Sequence, residues 1–241
     1  LSYCDDDARD FAAALGAWSN WNPANITTIV DRQATATNIW AALNAMGAAS
    51  DADDQCVFFF SGHGTRGTDV APLDEADGLD EYLCETNLTN NIRDDQLGDW
   101  VAGLPTSNVL IVLCACYSGG AFKSEPAIKG IGPAREGLDG FVDEIRAALA
   151  AKVRPLDVHH AGAGVVLAAC DDNETCQESA ALGHDVFNHY VLQAMAGAGD
   201  ANGDNIITAE EIFAYANPRA TNYNPRQHAQ IYDALPAQPF V

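Results

Sequence analysis

Residues 109–113 read Val-Leu-Ile-Val-Leu, apolar at every position, and this run limits the folds open to the chain. A strand with one wet face alternates apolar and polar residues. A strand with no polar position has to be covered on both faces. Val57-Phe58-Phe59-Phe60 and Val165-Val166-Leu167 have the same character, and Ile26-Thr27-Thr28-Ile29-Val30 is a fourth, β-branched run. Helical patterns lie between them. Ala8, Phe11, Ala12 and Leu15 share one helix face, as do Ile39, Leu43 and Met46 behind a Thr35 or Thr37 cap. Leu97, Trp100 and Val101 follow Asp94 or Asp95, which opens the helix. Residues 140–151 carry Phe141, Ile145, Ala148 and Leu149, and residues 184–195 carry Phe187, Tyr190, Val191 and Ala194. Alternating strands and helices predict an α/β three-layer sandwich, a mostly parallel central sheet flanked by helices. Chemistry in such sheets gathers beyond the carboxyl ends of the strands.

Two of the apolar runs end in reactive residues. Phe60 leads into Ser61-Gly62-His63-Gly64, and Leu113 leads into Cys114-Ala115-Cys116-Tyr117-Ser118-Gly119-Gly120. A lone histidine is more often structural. A histidine between glycines and a cysteine, each ending a buried strand, is a sharper pattern. Cysteine attacks as the thiolate, and a neighbouring imidazole can hold its proton. If the two strands are neighbours, a dyad follows. The residues alone leave open which of the two cysteines is the nucleophile.

Charge narrows the partners. The chain has 34 acidic and 12 basic residues, a net charge of -22. Nucleic acid is excluded, because its phosphates need a basic face. Cation binding, a basic substrate or a salt-adapted acidic surface all fit. No apolar run is long enough to span a membrane. No signal peptide is visible, but the chain begins abruptly at Leu1, so an upstream segment can be missing; the compartment is left open, with a soluble protein, cytoplasmic or secreted, expected. Seven cysteines, an odd number, leave at least one thiol unpaired. There is no CxxC and no paired Cys/His spacing for zinc, whereas Cys170 and Cys176 are spaced to bridge a short loop. The sequons at Asn25, Asn87 and Asn173 are read as chance.

The segments SGHG (61–64), DEADGLDEYLC (74–84), IRDDQL (92–97) and CACYSGG (114–120) come in the order found in caspase-like cysteine peptidases. The resemblance is closest to the metacaspase branch. It continues in LAACDDNETCQES (167–179) and in HDVFNHYVLQAM (184–195), which is similar to the family's small-subunit helix. YCDDDARDFAAAL (3–15) resembles its first helix. The resemblance implies one caspase-like domain over 1–241. Residues up to about 120 would be large-subunit-like, 121–138 an inter-subunit loop, and 139–241 small-subunit-like. It implies an endopeptidase with Cys116 as nucleophile and His63 as general base. Backbone N–H groups of Gly64 and Cys116 would hold the oxyanion. The S1 residues would be Cys4, Asp7, Ser61 and Cys114. Asp7 would receive an Arg or Lys side chain at P1. Cys114 stands where metacaspases usually carry an aspartate, and a small buried packing residue is the reading preferred for it. The family's hydrophobic strand before the first helix has no counterpart here. That implies a strand supplied upstream or by a separate peptide, or compensation by the C-terminal tail. A non-catalytic caspase-fold binding module and a calcium-binding structural protein are the competing readings.

Two segments suit calcium, and no organic cofactor is expected. Asp80, Asp94 and Asp95 fall on the family's calcium positions, although Lys123 stands where a fourth aspartate belongs. Helix capping is the other reading of Asp94 and Asp95. Independently, residues 200–211 read D-x-N-x-D-N-x5-E, an EF-hand-like loop. Its ligands would be Asp200, Asn202, Asp204, the Ile206 carbonyl and Glu211, with Asn205 in place of the sharp-turn glycine. A polar turn before a capped helix is the alternative. Residues 121–138 are rich in Gly and Pro and lack periodicity, so they fit a surface loop. Lys123, Lys129 and Arg135 within it offer basic sites for self-processing.

Overall fold

A computed structural model describes residues 1–71, 78–115, 130–131, 148, 164–170 and 174–233. Cys116, the 121–138 loop apart from two residues, and all but one residue of the helix expected at 140–151 lie outside the described residues. The helices are α1 (Cys4–Gly16), α2 (Ala36–Ala49), α3 (Asp94–Gly103), α4 (Val186–Gln193) and α5 (Ala209–Tyr223). The strands are β1 (Cys56–Ser61), β2 (Gly64–Thr68), β3 (Leu79–Leu83), β4 (Ile92–Arg93), β5 (Val109–Cys114), β6 (Gly130–Ile131), β7 (Val165–Ala168), β8 (Glu178–Ser179), β9 (His184–Asp185) and β10 (Gln230–Asp233).

The central sheet has the order β1-β5-β7-β10. Its first three strands are parallel and β10 is antiparallel to β7. Every residue of β5 and β7 is buried. The side chains of β5 divide by parity, as a pleated strand requires. Leu110, Val112 and Cys114 pack with Phe11 and Leu15 of α1, Phe187 and Val191 of α4 and Ile212 of α5. Val109, Ile111 and Leu113 pack with Ile39 and Leu43 of α2 and Leu97 and Val101 of α3. The continuous apolar runs thus mark a sheet clad on both faces, and the α/β sandwich expected from them is the observed architecture.

Local signals set the helix ends. The Thr35 hydroxyl accepts the Asn38 N–H at the start of α2. Asp185 accepts the N–H groups of Phe187 and Asn188 at the start of α4, and Thr208 and Glu211 form a reciprocal capping box on α5.

Residues 26–30 depart from expectation. Ile26 ends a short 3-10 turn, the following residues join no strand, and a second 3-10 turn begins at Asp31. A β-branched run becomes a strand only with a partner edge. β1 pairs with β5 alone among the described residues. A second small sheet, β4-β3-β2-β6, was not anticipated either. It hangs from the carboxyl end of β1, because only Gly62 and His63 separate the end of β1 at Ser61 from the start of β2 at Gly64.

Candidate active site

β1 and β5 run in register from Cys56↔Val109 to Ser61↔Cys114, so they end level. The Gly62 N–H donates to the Cys114 carbonyl at 3.2 Å, carrying the pairing one residue past β1. A Cβ on Gly62 would stand 2.7 Å from the Phe60 ring, so a glycine suits this turn. His63 follows, half-buried, and its carbonyl accepts the Cys84 N–H at 2.9 Å. The histidine backbone is therefore anchored between the central sheet and the small one. Gly64, next in the chain, opens β2 opposite Leu83. Cys114 is fully buried in the core beside α1. Cys116 stands two residues beyond it, outside the described residues.

Asp7 lies beneath these strand ends, on the first turn of α1, and is fully buried. Its Oδ2 accepts the Ser61 hydroxyl at 2.7 Å. Its Oδ1 accepts Asn188 Nδ2 at 3.0 Å and the Asp185 N–H at 3.1 Å, and pairs with His184 Nδ1 at 3.0 Å. Cys4, one turn earlier, donates its thiol to Glu178 at 3.3 Å. The same carboxylate accepts the N–H groups of Ser2 and Tyr3. Three of the S1 residues expected from the sequence, Asp7, Ser61 and Cys114, thus converge below the strand ends, with Cys4 at their margin. His184, Asn188 and Glu178 were not singled out from the sequence. They meet α1 across more than 170 positions, and no local spacing signals such a contact.

The acidic set Asp80, Asp94 and Asp95 also comes together, offering carboxylate oxygens within 4.8 Å of one another. Asp80 Oδ1 is buried with no hydrogen-bond partner, which suits a cation. A resident charge already sits there. Arg93 Nη1 lies 3.4 Å from Asp80 and Nε lies 3.0 Å from Asp95. Burial pushes the Asp94 carboxyl up, while N–H groups of Asp95 and Glu81 pull it down. Burial and the hydrogen bond to Asp80 push the Tyr82 phenol up to about 12. Three hard oxygen donors fit calcium, and Arg93 competes with it.

In the 200–211 loop, Asp200 accepts the N–H groups of Gly203 and Asn205, Asn202 that of Asp204, and Asp204 that of Ile206. Asn205 has φ 64°, the left-handed backbone required at the sharp turn. Glu211 closes back on the Thr208 N–H at 3.0 Å, satisfying a helix end. Ile207 is buried in the core and ties the loop to the domain. Cys170 and Cys176 form a disulfide, and Cys176 Sγ lies 3.2 Å from the Ala115 carbonyl, so the bridge packs under the end of β5.

The profile of the metacaspase, peptidase C14 domain matches residues 4–125, half of the chain. This chain belongs to the metacaspase family. Metacaspase-4 of Arabidopsis thaliana is 33% identical over 128 residues, 50% of this chain and 30% of the relative. Metacaspase III c of Phaeodactylum tricornutum is 32% identical over 127 residues, 49% of this chain and 38% of the relative. The chain thus spans about a third of the length of these metacaspases. In structure it is similar to protein GSU0716 from Geobacter sulfurreducens, with TM-score 0.66 and 20% identity, over 99% of this chain and 86% of that one. That likeness concerns the fold. No helix among the described residues is long and apolar enough to cross a membrane.

Two outcomes follow from this metacaspase site. Asp7→Ala strands the donors of Ser61, Asn188, Asp185 and His184 in a buried place. It is expected to lower the unfolding free energy by about 3 kcal/mol, read from urea denaturation. A loss below about 1 kcal/mol would mean the network is not a clamp. Burial, aided by Glu85, pushes the Cys84 thiol up to about 11. At pH 8 only about a thousandth is thiolate. Native protein treated with iodoacetamide should keep Cys84 unmodified by peptide mass mapping, with labelling growing only as pH approaches 11. Rapid labelling at pH 8 contradicts the buried placement.

Proposed function

We propose that this metacaspase-family domain is a cysteine endopeptidase cleaving after Arg or Lys. The observation that carries the reading is the level ending of β1 and β5, since Ser61↔Cys114 register leaves His63 and Cys116 each two residues beyond one pair. Cys116 Sγ attacks the scissile carbonyl as the thiolate, and His63 holds the proton. The tetrahedral oxyanion is held by N–H groups of Gly64 and Cys116. Collapse breaks the C–N bond, the amine leaves with the proton from His63, and a thioester remains. Water, deprotonated by His63, then cleaves the thioester and restores the thiol. Asp7, a buried anion bonded to Ser61, supports a basic P1 side chain. Lys123, Lys129 and Arg135 are the sites for self-cleavage. Their loop lies outside the described residues.

Fluorogenic peptides with Arg, Lys or Asp at P1 test this. Hydrolysis after Arg and Lys should fall at least about a thousandfold in Cys116→Ala and in His63→Ala. Wild-type protein incubated with calcium should break into two fragments on a gel, and Cys116→Ala should stay whole. Turnover after Asp with none after Arg or Lys would sink the basic preference. Turnover surviving Cys116→Ala would sink the mechanism.

We propose calcium as the bound metal, held by Asp200, Asn202, Asp204, the Ile206 carbonyl and Glu211. A second place is at Asp80, Asp94 and Asp95, where Arg93 weakens the demand for an ion. At the first, calcium clamps the loop to α5; bound there, it supplies charge neutralisation and no chemical step. Saturating calcium at about 100 times Kd should raise Tm by about 5–10 °C. Glu211→Gln should remove most of that rise, and Asp80→Asn should remove little of it. A Tm unmoved by calcium or by chelator overturns the proposal.

A further inference from the structure

The carboxylate assigned to P1 recognition is already fully used. A carboxylate offers about four acceptor positions. Asp7 fills them with Ser61 Oγ, the Asp185 N–H, Asn188 Nδ2 and the His184 ring. A P1 guanidinium needs two acceptor positions side by side. One present donor therefore has to leave. Asp185 and Asn188 are fully buried at the start of α4, and the Ser61 hydroxyl makes the shortest of the four contacts, at 2.7 Å. His184 stands differently. Its side chain is 15% exposed and sits in the two-residue strand β9. Its second ring nitrogen lies 3.5 Å from Asp10, a residue 58% exposed on the next turn of α1. The ring of His189 also lies beside it, at 6.0 Å between centroids. The ring thus lies between the buried carboxylate and an exposed one that can keep it after it moves.

We propose that His184 is a specificity-determining residue, a built-in occupant of the S1 carboxylate that a P1 side chain must displace. The proposal rests on the reading of Asp7 as the S1 anion. With the ring in place the pocket is closed to neutral and small P1 side chains, which gain nothing from Asp7 to offset moving it. Arg, with a fixed fork of donors, replaces the ring better than Lys, whose ammonium is a point charge.

The test compares wild type with His184→Ala and His184→Gln on peptides carrying Arg, Lys or citrulline at P1, with Tm measured for each variant. Citrulline keeps the shape of Arg without the charge. His184→Ala should lower KM for the Arg and Lys peptides by about tenfold, the scale of one hydrogen bond to a charged group, with kcat within about twofold. The citrulline peptide, shut out while the ring is in place, should also bind more tightly to His184→Ala. His184→Gln, which retains a donor, should fall between. A merely structural histidine would raise KM or lower kcat for all peptides alike, and that result overturns the proposal.

A second readout does not need turnover. In 15N-labelled Cys116→Ala protein, the His184 ring resonances should shift on titration with the P1-Arg peptide and stay put with the citrulline peptide. Cys116-dependent hydrolysis with an unresponsive ring would defeat this proposal and leave the peptidase reading standing. A responsive ring without Cys116-dependent hydrolysis would do the reverse.

Discussion

Asp7 is the interaction on which the rest of the molecule hangs. A carboxylate with no exposed surface is tolerated only if its lone pairs are met inside the protein. Here the partners come from two places far apart in sequence: Ser61 on β1, and the segment His184 to Asn188 where β9 runs into α4. Glu178 repeats the device one turn earlier by accepting Ser2, Tyr3 and Cys4. The first helix is thereby tied by two buried acids to segments more than 170 positions away. Apolar contact between α1 and the sheet supplies most of the burial, but it is not directional. Hydrogen bonds to one carboxylate fix how α1 sits relative to the strand ends, and with it the floor beneath His63.

The sheet then decides where reactive residues can go. Because β5 is buried on both faces, nothing polar fits along its length, and chemistry is confined to its end. Among the described residues β1 is the edge strand and only partly buried, and Gly62 and the small sheet catch the chain as soon as it leaves the strand. Parallel strands with matched register end level, so Ser61 and Cys114, 53 positions apart in sequence, finish side by side.

Much of this was legible from particular residues. The unbroken apolar runs at 57–60, 109–113 and 165–167 announced their two-sided burial. The periodic faces of α1, α2 and α3 announced their cladding helices. The turn at 200–211 was readable because its hydrogen bonds join residues at most five apart. Residues 26–30 misled for a physical reason. Strand propensity expresses itself only against a partner edge, and these residues have none among those described. The strands of two residues, β4, β6, β8 and β9, exist only because tertiary contacts hold them, so no local pattern marks them. His184 and Asn188 were hidden for the same reason. Their sequence neighbourhood reads as an amphipathic helix, and the polar exceptions are explained only by an aspartate at the other end of the chain.

If Asp7 is the proposed S1 anion, a single buried carboxylate raises a question of balance in the empty state. Cys114 occupies the place where the family usually supplies a second aspartate, and here it is a buried packing residue facing α1. The pocket's negative field therefore comes from Asp7 alone among the expected S1 residues. One carboxylate attracts a basic side chain less strongly than two, but it is also easier to keep compensated when no substrate is present. Ser61, Asn188 and the Asp185 N–H are neutral donors fixed by the fold. The His184 ring is the partner proposed to exchange with a substrate cation. A residue that steadies the buried charge in the empty protein is, by the same contact, the residue a substrate competes with. On that proposal, stability of the N-terminal helix and selectivity of the pocket are settings of one hydrogen-bond network, and a change at residue 184 is expected to shift both.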